Sequence, residues 1–94
     1  RNTKIVDMVK ALKEYDLDLD IYDPWVDSAE VEAEYGLAPI MELKQGRYDA
    51  IVIAVAHDQF KVMSTEDFHS LGKKKHVLYD LKHVLNKVDA DLRL

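Results

Sequence analysis

The 94-residue chain has no cysteine, three glycines, two prolines and one tryptophan. Without cysteine there is no disulfide, no thiolate metal site and no thiol nucleophile. Gly36, Gly46 and Gly72 stand far apart, so the chain carries no G-x-G-x-x-G, no P-loop and no nucleophile elbow. No run of apolar residues approaches the length of a membrane span, and no signal peptide pattern is visible. Positive charge is also in deficit. The net charge of −5 argues against nucleic acid or an anionic membrane as the main partner. No internal repeat or low-complexity stretch is present. These absences leave one domain of ordinary globular composition, with a cytoplasmic location as the expectation. The chain begins at Arg1 and runs straight into a helix signal, so a longer parent protein is expected.

What is present centres on Tyr48 to Phe60, YDAIVIAVAHDQF. Residues 50–56 are all apolar and rich in β-branched side chains, which predicts a strand. Apolarity on both faces predicts a central place in a parallel sheet covered by helices. His57 and Asp58 follow at once, at the carboxyl end where open α/β sheets bind ligands.

The rest of the chain alternates helices and strands. Ile5, Met8, Val9 and Leu12 fall on one face of a helix over 3–15. Residues 17–22, LDLDIY, alternate as a half-buried strand, which Asp23-Pro24 ends. Asp27 or Ser28 caps a helix reaching Tyr35, and Gly36 stops it. A very short edge strand is expected over 37–41, weakened by Pro39, and then a helical turn over 42–45. A short helical turn is expected over 58–62. Ser64 caps a helix over 65–71, with Asp67 completing a capping box. Lys73–Lys75 reads as a charged loop, 76–80 as a strand, and 90–94 as a final strand. This order predicts an α/β fold with a mostly parallel sheet.

The polar residues at the strand ends are the candidates for chemistry. His57 and Asp58 follow the first, with the plainer alternative that Asp58 caps a helix and His57 packs in a loop. Asp80 and Lys82 follow the second, where a lysine can meet a phosphate as a point charge. Tyr22-Asp23-Pro24 closes a third, as a ribose-binding acid or simply a turn. Arg1 precedes a helix whose free N–H groups suit an anion. His57, His69, His76 and His83 fall in different predicted elements without a recognised ligand spacing, so no metal site is expected.

RNTKIVDMVKALKEY, DIYDPWVD, YDAIVIAVAHDQF and VLYDLKHVL, taken together and in this order, resemble the C-terminal domain of the UDP-glucose/GDP-mannose dehydrogenase family. The similarity covers essentially the whole chain. The Tyr-Asp-Pro turn and the Ala-His-Asp-x-Phe stretch look most like the bacterial branch that oxidises UDP-N-acetylhexosamines for surface polysaccharides. The resemblance implies a three-layer Rossmann-like domain, with helices on both faces of its sheet, that binds the UDP end of the sugar nucleotide. Residues 1–94 would then be one domain of a longer, homo-oligomeric enzyme. That enzyme oxidises a C6 alcohol to a carboxylate in two NAD-dependent steps through a cysteine thioester. Lacking cysteine and a dinucleotide fingerprint, this chain is not expected to catalyse the reaction alone.

By the same resemblance Arg1 reaches toward NAD across a domain interface, and Lys82 contacts the sugar nucleotide. His57 and Asp58 match the family pattern without a firm role there; with Asp80 they are candidates for the edge of the site from their place at the strand ends. The family also has a strand before the position of Arg1, which this sequence lacks. Its absence would leave the strands at 17–22 and 50–56 short of a pairing partner. Two other readings remain open from sequence: a stand-alone α/β module for a nucleotide or phosphate, and a structural piece making interdomain contacts.

Overall fold

The computed structural model describes residues 3–82, 85 and 90–93. Arg1 and His83 lie outside the described residues. The chain forms two compact units, Arg1–Leu43 and Lys44–Leu94.

The first unit pairs two helices, α1 (Thr3–Glu14) and α2 (Ser28–Tyr35). In α1 the expected stripe turns inward. Val9 is buried and Ile5, Met8 and Leu12 are partly so, while Lys4, Asp7, Lys10 and Lys13 are exposed. The helix ends as Tyr15 N–H and Asp16 N–H donate to the Leu12 and Lys13 carbonyls, with Asp16 at φ 58.

Asp27 is the N-cap of α2, its carboxylate accepting from Ala29 N–H at 3.2 Å. Val31 faces inward with no exposure. Gly36 ends the helix in the left-handed region at φ 73, donating its N–H to Glu32 C=O. Lys13 Nζ donates to Tyr35 C=O at 3.2 Å, placing a cation at the negative end of α2. A Cβ on Gly36 would stand 2.8 Å from that Nζ. Gly36→Ala is therefore expected to cost about 1–2 kcal/mol for the left-handed backbone, read as a lower unfolding midpoint.

The strand expected over 17–22 does not form. Residues 17–23 are not part of any strand, and neither are 37–41. Ile40 N–H donates to Ile21 C=O at 2.8 Å, so the two segments meet as strands would begin to. An alternating sequence still needs a neighbour along its length, and no strand of the first unit lies beside it among the described residues. The expected turn at Asp23-Pro24 does form, with Trp25 N–H donating to Asp23 Oδ1 at 3.1 Å, an Asx turn.

The second unit holds a parallel sheet. It runs β1 (Tyr48–Ile53), α3 (Asp58–Lys61), α4 (Thr65–His69), β2 (Gly72–Asp80) and β3 (Leu92–Arg93). The sheet order is β1-β2-β3, and both pairings are parallel. Its buried apolar residues are Ile53, Phe60, Phe68, Leu71, Leu78 and Leu85. The α/β parallel architecture expected from the alternation is thus observed.

The YDAIVIAVA strand does not occupy the middle of this sheet. β2 does, and β1 has no second partner among the described residues. Ile53 is buried, but Val52 is 39% exposed. The apolar run reaches Ala56, yet the strand ends at Ile53 because that is where its partner ends. Ile53 pairs with Asp80, and Leu81 N–H closes the ladder on Ile53 C=O at 3.0 Å.

Lys73–Lys75 belongs to β2 rather than to a loop. The loop character survives as a bulge: Tyr48 pairs with Gly72, but Ala50 pairs with Val77. Two steps along β1 therefore match five along β2, so three extra residues stand out of the ladder and the lysines reach water. The expected turn over 42–45 is not helical; a turn at Gln45–Gly46 replaces it.

Ser64 and Asp67 form the expected capping box on α4, with bonds of 3.1 and 2.9 Å. Ser64→Ala is expected to cost about 1 kcal/mol, seen as a lower midpoint in urea.

Candidate functional site

The carboxyl edge of the sheet is built around Asp80. It is the last residue of β2, lies beside Ile53 of β1, and has no exposed surface. A carboxylate is costly to bury without hydrogen bonds. Here each oxygen accepts one from the backbone that follows: Lys82 N–H donates to Oδ1 at 3.1 Å, and Leu85 N–H to Oδ2 at 2.8 Å. Leu81 N–H is held by Ile53 C=O, and the Leu85 side chain is buried. Backbone bonds at 81, 82 and 85 therefore tie these residues to the ends of β1 and β2. Lys82 is exposed while its own N–H is held by Asp80, and its ammonium suits a phosphate.

His57 and Asp58 leave the same edge after β1. The His57 carbonyl accepts from Phe60 and Lys61 N–H, starting α3, and its ring packs against Phe60 with centroids 5.6 Å apart. The His57 side chain makes no capping bond. Asp58 is the first residue of α3 and lies 3.8 Å from Lys61 Nζ, with its side chain 88% exposed. His57 rather than Asp58 stands at the N-cap, so the expected Asp58 cap is not observed, while the packing of the His57 ring on Phe60 agrees with the plainer alternative.

Two features went unseen in the sequence. His69 and His76 meet, Nδ1 to Nε2 at 2.7 Å, and His76 Nδ1 donates to Lys73 C=O at 2.7 Å. The bulge in β2 folds His76 back over Gly72, where an added Cβ would collide with the imidazole. The seven-residue spacing gave no sign of this, since it depends on the bulge. Gly72→Ala is expected to cost about 1–3 kcal/mol as the ring is displaced, and the imidazole NMR signals should show that His69 and His76 no longer share a hydrogen bond. The second feature is Asp91. Its carboxylate accepts from Leu78 N–H at 2.8 Å and its own N–H donates to Leu78 C=O at 2.9 Å, which ties β3 to β2.

No group of three or more potential metal ligands occurs among the described residues. No helix among them is long and apolar enough to cross a membrane.

A model of the UDP-glucose/GDP-mannose dehydrogenase family, UDP binding domain, matches residues 1–87. The chain is 55% identical over 94 residues to UDP-N-acetyl-D-glucosamine 6-dehydrogenase of Salmonella typhi, covering 100% of this chain and 22% of that protein. It is 49% identical to the Pseudomonas aeruginosa protein of the same name, with the same coverage. It is 29% identical over 92 residues to Protein CapL of Staphylococcus aureus, covering 98% of this chain and 22% of that one. The chain therefore spans 22% of the length of the relatives it matches. On a match over nearly all of its residues, the chain belongs to the UDP-glucose/GDP-mannose dehydrogenase family, as its UDP binding domain.

Proposed function

We propose that this chain is the C-terminal domain of an NAD-dependent UDP-N-acetylhexosamine 6-dehydrogenase, and that it holds the UDP end of the substrate. The observation that carries the reading is the turn after β2, where Lys82 is exposed on a backbone held by Asp80 and Ile53. The names of the relatives at 55% and 49% identity supply the sugar.

In this reading Lys82 pairs with the anionic part of the sugar nucleotide. Arg1, ahead of α1, extends toward NAD, and its guanidinium suits a pyrophosphate. His57 and Asp58 shape the rim. The chemistry belongs to the rest of the enzyme, because this chain has no cysteine and no dinucleotide fingerprint. The C6 alcohol loses four electrons to two NAD, and water supplies the second carboxylate oxygen. The reading carries with it a cytoplasmic homo-oligomer that serves surface polysaccharide synthesis.

The test is NADH formation by the full-length enzyme supplied with UDP-N-acetylglucosamine. Two NADH per sugar nucleotide are expected, and none from this chain alone. Absence of NADH formation with every UDP-hexosamine and UDP-hexose tried would overturn the reading.

A further inference from the structure

We infer that Asp80 is a positioning residue for the ligand site, holding the backbone that presents Lys82. The inference rests on the proposed contact between Lys82 and the sugar nucleotide. Asp80 is the one buried charged residue among those described. A buried carboxylate in this place is not required for strand pairing, since β1 and β2 are joined through their backbones. The carboxylate takes the N–H groups at two and five residues beyond it, one on each oxygen. A carboxylate accepts both bonds with full charge, whereas an amide offers one acceptor and sets an NH2 against the second N–H. The geometry of the turn, and with it the origin of the Lys82 side chain, therefore depends on both oxygens. A ligand bound by a single ammonium is sensitive to where that ammonium starts.

The experiment uses the full-length enzyme with Asp80→Asn, Lys82→Ala and the double variant. Asp80→Glu, which keeps both oxygens but moves them one methylene outward, is a second single variant should Asp80→Asn fold poorly. Two readouts are combined: KM and kcat for the UDP-sugar, and exchange of the Lys82 and Leu85 amides. Asp80→Asn is expected to raise KM about tenfold, as for the loss of one hydrogen bond to a charged group, with kcat changed less than about twofold. The double variant is expected to be no worse in KM than Lys82→Ala, and both amides are expected to exchange faster in Asp80→Asn.

A folded Asp80→Asn enzyme with the parent KM would overturn the inference. So would KM increases that multiply in the double variant, because Asp80 would then act independently of Lys82. If Lys82→Ala leaves KM unchanged, the Lys82 assignment fails. A raised KM in Asp80→Asn alongside that result would show Asp80 acting through another group, contrary to the inference. Amides that stay protected in Asp80→Asn would overturn the positioning role whatever KM does.

Discussion

Leu78→Ala is expected to destabilise the chain by about 2–5 kcal/mol, the range for deleting a buried leucine side chain. Leu78 lies in β2, the middle strand, and has no exposed surface. It pairs with Ile51 on one side, and its N–H and C=O are both taken by Asp91 on the other. With the backbone held from two directions, the sheet cannot collapse to fill the space, which puts the cost toward the upper part of the range. Small domains are stable by only about 5–15 kcal/mol in total, so this one change removes a large share. Urea unfolding gives the value. Val77→Ala is the control: Val77 is next in sequence but 41% exposed, and should cost well under half as much. Equal losses at 77 and 78 would mean that the buried face of β2 is wrongly assigned.

Lys82→Ala in the full-length enzyme is expected to raise KM for the UDP-sugar about 10- to 100-fold. A hydrogen bond to a charged group is worth roughly 1.5–3 kcal/mol, and each 1.4 kcal/mol is about tenfold. Turnover should change little, since a contact to the nucleotide end is made equally in ground and transition states. Lys82→Arg should recover part of the loss, because it restores charge in a different shape. A KM equal to that of the parent would remove Lys82 from the site. Lys73→Ala gives the contrast. Lys73 pairs with Asp49 at 3.3 Å, but both side chains are more than half exposed, and such a pair contributes between about 0 and 1 kcal/mol.

The elements that could be read in the sequence are those whose signals are local. The stripe in α1, the caps at Asp27, Gly36 and Ser64, and the strand character of 50–53 and 76–80 depend on nearby residues. The failures all involve partners distant in the chain. LDLDIY alternates like a strand but has no ladder beside it. The YDAIVIAVA run is long enough to be central, but β2 takes that place and ends the pairing at Asp80. The Lys73–Lys75 stretch reads as a loop because its charges are exposed; a bulge achieves the same within a strand.

The candidate site was legible as an edge, since Asp80-Leu81-Lys82 and His57-Asp58 both follow predicted strands. The division of labour within it was not. Spacing alone does not show that Asp80 is fully buried and bonded to the turn, or that His57 and Asp58 are engaged in starting α3. Arg1 stands out through family resemblance and lies outside the described residues.

In the proposed function this domain grips the UDP moiety through Lys82, after β2. Calorimetric titration of the full-length enzyme with UDP, which lacks the hexose, tests this, with NAD as the parallel ligand and Lys82→Ala as the variant. UDP is expected to bind the parent enzyme, Lys82→Ala to weaken this binding at least about tenfold, and NAD affinity to be unchanged. Equal UDP affinity in the two proteins would contradict it.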